Sequence, residues 1–410
     1  MLRRPTLRQF EPLRLSGFRL LFVSTLASSL GSLLAQIALA IDVKDRTDSG
    51  LWVGAVLVVG FLPTIIVGLT LGPLIDRLER RTLMIAADVI RAAVFFSLVF
   101  VGSAGAIVAL AFVAGLANGF FRPAVYAGVP NLVPEEDLPH ANALLQSVEN
   151  ASWAVGPVLG GLLTAAAGPH TAYWINAVSF LVSAVFISRI PARLLQSATA
   201  LTRGHWTDLK DGFRAVLESR PLLAVLLAWG VAGLGVGSVS VSEVFLAKNT
   251  FHAGDFGYGL LFGAIGTGLV VGSFWSGSLQ ERFGLARTYG LAILVMAIGF
   301  GAGAASPNVW VAAACCVVGG LGDGVAIVCN ALLVQTGARD QIRGRALTVL
   351  MAGTMSVQAL GTVLAGALMP PGGARWVWAA GAVTFAVAAV IGYALAREPA
   401  RAAAPATAAR

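Results

Sequence analysis

The stretch Gly72-Pro-Leu-Ile-Asp-Arg-Leu-Glu-Arg-Arg81 separates two long apolar runs and returns in altered form later in the chain. Shifting the sequence by 205 residues, half of its length, places its first six residues on Gly277-Ser-Leu-Gln-Glu-Arg282. The same shift aligns three further pairs, Gly156 with Gly361, Gly161 with Gly366 and Phe180 with Phe385. One constant offset in three separate regions indicates two halves of the same topology, with a binding site at their interface.

The composition indicates that lipid, rather than water, is the solvent of this chain. Hydrophobic residues make up 57% of the 410 residues and charged residues 12%, about half of the ~25% usual in soluble domains. A soluble protein of this length could not bury so much apolar surface in one core. A protein that faces a lipid bilayer has no need to bury it.

Twelve apolar runs are long enough to cross a hydrocarbon core of about 30 Å as helices. The first run follows a basic segment, but at about 22 residues it is too long for the apolar region of a cleavable signal peptide. We therefore expect it to remain as the first membrane helix. The predicted spans are residues 20–41, 51–71, 82–102, 104–126, 141–166, 171–189, 222–245, 256–278, 287–305, 309–334, 345–368 and 376–396.

The distribution of basic residues predicts the orientation. With the N-terminus placed in the cytoplasm, the five outer loops carry only four of the 28 Lys and Arg residues, namely Lys44, Arg46, Lys248 and Arg375. Lys and Arg are enriched in the cytoplasmic loops of membrane proteins. We therefore expect a multi-pass protein of the bacterial inner membrane with both termini in the cytoplasm.

The predicted fold is an all-α integral membrane protein with twelve transmembrane helices in two pseudo-symmetric six-helix bundles, expected to be a monomer. The bundles cover residues 1–190 and 222–396, and a disordered tail covers 397–410. In the cytoplasmic linker, residues 191–221, four apolar residues recur at helical spacing and predict an amphipathic helix on the membrane surface. They are Trp206, Leu209, Phe213 and Val216. A plain solvated linker is the alternative interpretation.

Several function classes are excluded or disfavoured. The net charge of +8 is spread over many short loops rather than one patch, so we expect no nucleic-acid partner. The three cysteines lie in one apolar stretch without CxxC spacing, and we expect them to pack rather than to bind a metal. No GxxxxGK[ST] motif is present, so no nucleotide is expected. We predict a non-enzyme without cofactor or metal, powered by an ion gradient.

An acidic–basic pair and a second basic pair occupy the connection after the second span. Gly72 would allow close approach to a neighbouring helix. Asp76 could lie at the N-terminus of the eleventh helix, near Gly344, where partial positive charge favours an anion. The basic residues that could bridge to acidic partners are Arg77, Arg80 and Arg81.

This pattern resembles the loop signature of the major facilitator superfamily of membrane transporters. The sequence departs from that signature at Glu79, where the family usually has glycine. The acidic–basic pair recurs in the second half as Glu281 and Arg282. The resemblance implies that both sets of residues act as a conformational latch. The alternative is that these charges only fix the topology.

A second motif, Gly156-Pro-Val-Leu-Gly-Gly161, lies in the fifth span and resembles the helix-five motif of the superfamily's antiporters. Pro157 lacks an N–H and is expected to kink the helix. Gly156, Gly160 and Gly161 would permit close contact with a helix of the other half, although generic small-residue packing would explain them equally well. The resemblance favours export over uptake.

Residues 121–150 and 176–184 resemble the macrolide-efflux and enterobactin-exporter branch of the same superfamily. The resemblance covers nearly all of residues 17–396. It implies an exporter of drug-like or siderophore-like compounds, without naming the substrate.

Four carboxylates fall within predicted spans, where a charge costs about 2.5–3.5 kcal/mol at mid-helix. Asp88 shares a helical face with Arg91 and is expected to form an ion pair with it. Glu149 and Asp323 have no basic residue adjacent in sequence, and either could carry a proton. Glu243 could lie close enough to the outer surface to be solvated, and Glu149 could be interfacial.

The sequence thus predicts a secondary transporter that exports hydrophobic or amphiphilic small molecules in exchange for protons by alternating access. Its expected partners are a small-molecule substrate, protons and the lipid bilayer. A nutrient importer or uniporter of the same fold is the first alternative. A membrane-embedded sensor or enzyme is the second, but such a protein would have little need for duplicated bundles with an acidic–basic pair in each.

Overall fold

The computed structural model describes residues 10–70, 78–195, 205–338 and 340–397. Within these ranges the chain is helical and contains no β-strand. The thirteen long helices are α1 (Ser16–Thr47), α2 (Gly50–Thr70), α3 (Arg80–Leu98), α4 (Ala104–Gly128), α5 (Leu138–Ala167), α6 (Pro169–Ser188), α7 (His205–Glu218), α8 (Arg220–Thr250), α9 (Gly254–Phe283), α10 (Leu285–Ala305), α11 (Val309–Gly337), α12 (Asp340–Leu368) and α13 (Ala374–Ala396).

Ten of the described helices are long and apolar enough to cross a membrane. Two others, α3 with 19 residues and α5 with 30 residues, are also long enough, because 1.5 Å per residue gives about 28 and 45 Å. Their composition is more polar, since α3 carries Asp88 and Arg91 and α5 carries Glu149. The number of twelve membrane crossings therefore remains a prediction, and ten of them are supported by the length and composition of the helices.

The first helix extends beyond its predicted span, 20–41, to Thr47. Its last turns are charged but pair internally, with Arg46 bonded to Asp42 at 2.6 Å and Lys44 to Asp48 at 3.3 Å. Such i,i+4 pairs stabilise a helix. The apolar run marks the span, and the helix itself continues past it.

The packing of the helices confirms the predicted duplication. In the first half α1 packs against α5 and α6, α2 against α4, and α3 against α4 and α6. In the second half α8 packs against α12 and α13, α9 against α11, and α10 against α11 and α13. Each pair in one half has its counterpart in the other. The halves meet along two equivalent seams, one between α5 and α9 and the other between α2 and α12.

Glycines bring the backbones into contact along both seams, and the 205-residue shift holds there residue by residue. A Cβ atom on Gly161 would lie 2.7 Å from the carbonyl oxygen of Asp255, and the equivalent atom on Gly366 would meet that of Gly50. Likewise, a Cβ on Gly259 would lie 2.5 Å from the oxygen of Pro157. For Gly54 the corresponding distance, to Thr362, is 3.0 Å. The two seams are therefore symmetry-related.

The two surfaces of the bundle differ. We call the face where α1 begins and where α7 lies the α7 face, and the opposite one the far face. One buried apolar cluster joins the second half to the far ends of the first-half helices, for example Ile37 and Tyr173. A separate cluster holds the α7-face ends of the first half, including Phe18 and Met84. Among the described residues, the halves share a core at the far face and separate toward the α7 face.

The linker contains the helix α7, which packs against the beginning of α12. Gly212 approaches the backbone of Arg345, and Arg345 donates to Asp211 at 3.1 Å. Val216 is buried, whereas Phe213 is 53% exposed. The side chains of Trp206 and Leu209 lie outside the described part, so the apolar face predicted from the sequence is described only in part.

Candidate functional site

A polar cavity of about 150 Å³ lies in the first half, between α1, α4 and α5. Its wall combines charged, hydroxyl and aromatic side chains, all from the first half. A mostly apolar pocket with a few converging polar groups is the usual form of a small-molecule site. This cavity is more polar than that, with Arg91, Arg122 and Glu149 in its wall.

Glu149 lies in this cavity with two partners from α4. Arg122 donates to its Oε2 at 2.6 Å, and the Tyr126 hydroxyl donates to its Oε1 at 3.1 Å. The Glu149 side chain is 16% exposed and that of Arg122 is 53% exposed. The sequence showed no base adjacent to Glu149, and the structure supplies one from the neighbouring helix. The Glu149 carboxylate therefore lines a cavity between helices.

Deeper in the same wall, Asp88 and Arg91 form a buried ion pair with an O–N distance of 2.5 Å. The Arg91 guanidinium lies between the rings of Phe121 and Phe180, each 4.3 Å from the ring centroid. It also donates to Asn118 at 3.3 Å. Cation–π contact and pairing together offset the cost of burying this charge.

Trp153 lies one helical turn beyond Glu149 and marks the boundary between the cavity and the closed far side. Its ring stacks on that of Phe262 from α9, with centroids 5.6 Å apart and planes tilted by 16°. This stack joins the two halves, because α5 and α9 belong to different bundles. Any movement that separates the halves at the far face must separate these rings.

The two remaining intramembrane carboxylates are outside the cavity. Glu243 on α8 is 1% exposed, and its Oε1 has no hydrogen-bond partner among the described residues. This burial does not fit the alternative that Glu243 is solvated at the outer surface. Asp323 on α11 is half-buried, next to glycines that contact α9 and α10. The part of the chain that the structure describes offers it no hydrogen bond or ion pair.

A bridge at the far face was missed by the sequence analysis. The Lys248 ammonium on α8 donates to Asp255 on α9 at 2.5 Å and to Asp45 on α1 at 2.7 Å. Only the second bond crosses between the halves. The predicted outer loops contained these residues, but nothing in the sequence indicated that positions 203 residues apart would meet.

Asp42, a buried acid at the far face, was also not predicted from the sequence. Asp42 is 5% exposed and accepts bonds from Arg46 at 2.6 Å and from the Tyr173 hydroxyl at 2.9 Å. The predicted span ended one residue before it. The i,i+4 spacing of Asp42 and Arg46 was the available signal.

The helix-five glycines divide between two neighbours. Gly156 and Gly160 approach Leu33 and Leu34 of α1, within the same half. Only Gly161 meets the other half, at Asp255 and Gly259. The expectation that all three contact the other half is therefore wrong for two of them. The helix α5 continues through Pro157 to Ala167.

The predicted latch residues are described only in part. Gly72, Asp76 and Arg77 lie outside the described residues. Arg80 donates to the carbonyl oxygens of Ala127 and Leu195 at 2.9 and 3.0 Å, and Arg81 donates to that of Ser188. All three acceptors belong to the first half. In the second half, Glu281 and Arg282 are exposed at the α7-face end of α9. Within the described ranges, Glu281 has no hydrogen bond or ion pair.

The described residues include no group of three or more His, Cys, Asp or Glu side chains that could hold a metal ion. Carboxylate, guanidinium and hydroxyl groups around a cavity can exchange a proton or a ligand. They do not by themselves form a nucleophile–base pair of the kind that covalent catalysis requires. The geometry suits binding and release rather than bond chemistry.

Comparison with known proteins agrees with this geometry. The transmembrane secretion effector family matches residues 7–409. The chain is 25% identical to the multidrug efflux pump Tap of Mycolicibacterium fortuitum over 86% of this chain and 89% of that one. It is 26% identical to macrolide efflux protein A of Streptococcus pyogenes, over 51% of this chain and about half (53%) of that protein.

Solved structures share the fold. A bacterial homologue of the iron transporter ferroportin, in its inward-facing state, superposes with a TM-score of 0.73 at 18% identity. The superposition covers 93% of this chain and 98% of that one.

Proposed function

Because the chain belongs to the transmembrane secretion effector family, within the major facilitator superfamily, we propose that it exports hydrophobic or amphiphilic small molecules in exchange for protons. It is a multi-pass membrane transporter, and its relatives are transporters rather than enzymes. Two of them are named as efflux pumps for drugs. Their names support export, as does the helix-five motif.

Glu149 is the observation that carries the proposal. It is an intramembrane carboxylate in a cavity, and its ion-pair partner Arg122 is more than half exposed. More than half of the Arg122 side chain faces solvent, so a ligand or a proton can displace this arginine from Glu149. A carboxylate that either a proton or a substrate can occupy is the element that exchange requires.

Alternating access supplies the movement. The distribution of basic residues supports a cytoplasmic α7 face, which makes the far face the outer one. The seams, the shared core and the Lys248–Asp45 bridge all hold the halves together at the far face. In this state the substrate would enter Glu149's cavity from the cytoplasm. Rocking of the halves would then expose the cavity to the outside.

The latch of the opposite state is assigned to the α7 face. Asp76, Arg77, Glu281 and Arg282 would close that face when the far face opens. The exposure of Glu281 in the present state fits this role, since it has no hydrogen bond or ion pair among the described residues. The amphipathic α7 would follow the second half, because it packs on α12.

Two other carboxylates are alternative candidates for the proton site. Asp323 and Glu243 lack hydrogen-bond partners for at least one oxygen among the described residues, but they lie outside the cavity. A proton on either could act only through helix packing. Asp88 is paired with Arg91 and is assigned a structural role.

The test is ethidium accumulation in a host lacking its own efflux pumps. Expression should lower the accumulated ethidium, and a protonophore should restore it. Glu149→Gln should abolish the effect because it removes the exchangeable charge. Glu218→Gln, in an exposed pair on α7, is the control. If Asp323→Asn removes the proton dependence while Glu149→Gln does not, the proton site is misassigned.

A nutrient importer or a uniporter would give different results in this assay. Accumulation would rise on expression, or would fall without any sensitivity to the protonophore. Protonophore-insensitive efflux would refute proton exchange and leave transport standing.

A further inference from the structure

One wall of the cavity is built mostly of groups that accept hydrogen bonds. Four hydroxyl residues of α1 line the cavity, Thr25, Ser28, Ser29 and Ser32. Three of these hydroxyls donate to a carbonyl of their own helix: Thr25 to Leu21 at 2.9 Å, Ser28 to Thr25 at 3.3 Å, and Ser32 to Ser28 at 2.6 Å. A hydroxyl has one hydrogen and two lone pairs. With the hydrogen used, its oxygen offers only lone pairs to the cavity.

Two hydrogen-bond donors of the same cavity, Arg91 and Asn118, already have acceptors. Arg91 donates to Asp88 at 2.5 Å and to Asn118 at 3.3 Å. The Asn118 amide donates in turn to Thr64 at 3.4 Å. Since Asp88 is fully buried beside Arg91, the charge of this guanidinium is neutralised within the wall. Little positive potential from it reaches the cavity.

Arg122 is the remaining cation, and it occupies the position that a ligand's cation would take. Its guanidinium lies 2.6 Å from the Glu149 carboxylate but is itself 53% exposed. More than half of this side chain already faces solvent, so the guanidinium can turn away from Glu149. Trp153, one turn from Glu149 and 43% exposed, adds an aromatic face, which attracts cations.

We propose that the substrate is an amphiphilic organic cation that replaces the Arg122 guanidinium on Glu149. The inference rests on the proposed proton exchange. A proton on Glu149 removes the negative charge and so releases a cation, which is what exchange demands. For an anionic substrate, the same proton would free Arg122 to bind it, and proton and substrate would travel together instead.

The size of the cavity sets a further condition. Its volume of about 150 Å³ is below the 300–1,000 Å³ typical of sites for drug-sized ligands. The charged end of the substrate would therefore occupy the cavity beside Glu149. Its apolar remainder would extend out of the cavity along the face of Trp153.

Two ions of equal shape and opposite charge test this directly. Binding of tetraphenylphosphonium and tetraphenylborate to the purified protein is measured by equilibrium dialysis in detergent, after subtracting uptake by empty micelles. We expect the phosphonium to bind and the borate not to. Glu149→Gln should weaken phosphonium binding about tenfold. Arg122→Gln should tighten it up to about fivefold, because the competing cation is gone.

The ion pair of Arg214 and Glu218 on α7, 2.8 Å apart and exposed, provides matched controls. Arg214→Gln and Glu218→Gln should leave binding unchanged. Preference for the borate, binding of neither ion, or weaker phosphonium binding in Arg122→Gln would overturn the inference. The dialysis uses no gradient. If the protein prefers the phosphonium but its efflux is insensitive to a protonophore, only the proposed exchange is contradicted. If efflux is sensitive to a protonophore but the protein prefers the borate, only the cation assignment is contradicted.

Discussion

Removing the charge of Asp45 should shift the protein toward the state that is open at the far face. Asp45 makes the one bond of the Lys248 bridge that crosses between the halves, at 2.7 Å, and Asp255 still holds Lys248 in the variant. The Lys248 side chain is 15% exposed and that of Asp45 is 47% exposed. A pair of this exposure contributes at most about 1 kcal/mol. Asp45→Asn should therefore raise the ratio of far-open to far-closed protein by up to about fivefold.

The ratio is measured as a distance distribution between spin labels at Ala167→Cys and Ala305→Cys. These exposed alanines end α5 and α10 at the far face, in different halves. The three native cysteines are first replaced by alanine. Asp48→Asn is the matched control, because Asp48 pairs with Lys44 inside one helix. Equal far-open fractions in the two variants would refute the role of the bridge. High salt should shrink the difference between them.

Other substitutions test the seams, the buried pair and the latch. Gly161→Ala places a methyl group 2.7 Å from a backbone oxygen, so it should lower the far-closed population in the same spin-label measurement; an unchanged distribution would refute tight seam packing. Arg91→Met leaves Asp88 buried without its partner, and should cost about 3–5 kcal/mol of stability, visible as a lower melting temperature in detergent; unaltered melting would contradict a structural pair. Asp76→Asn should slow ethidium efflux severalfold while ligand binding persists, and an efflux rate equal to that of the unmodified protein would refute the latch role of Asp76.

The sequence was sufficient to predict the helices and their duplication. Long apolar runs and a constant offset are local or periodic signals, and the offset survives in space as the paired seams. The exact helix ends were less predictable. The helix α1 runs past its apolar stretch to Thr47 because its charged side chains pair with one another.

The candidate site was predicted only in part. Glu149 was identified as an expensive intramembrane charge, but its partner Arg122 lies 27 residues away on another helix. Such a partnership depends on how α4 and α5 rotate about their axes, which apolar periodicity does not fix. The bridge of Lys248 and Asp45 depends on the approach of the two halves. It belongs to one conformational state, and a sequence encodes several.

The backbone contacts of the seams bear on how a gradient is kept from leaking. At Gly161 and Gly259, peptide groups from opposite bundles touch with no side chain between them. That arrangement leaves no room for a file of water molecules, and a water file is the path along which protons would cross unaccompanied. The same glycines therefore exclude water and allow movement, because backbone surfaces without interlocking side chains can separate and close again.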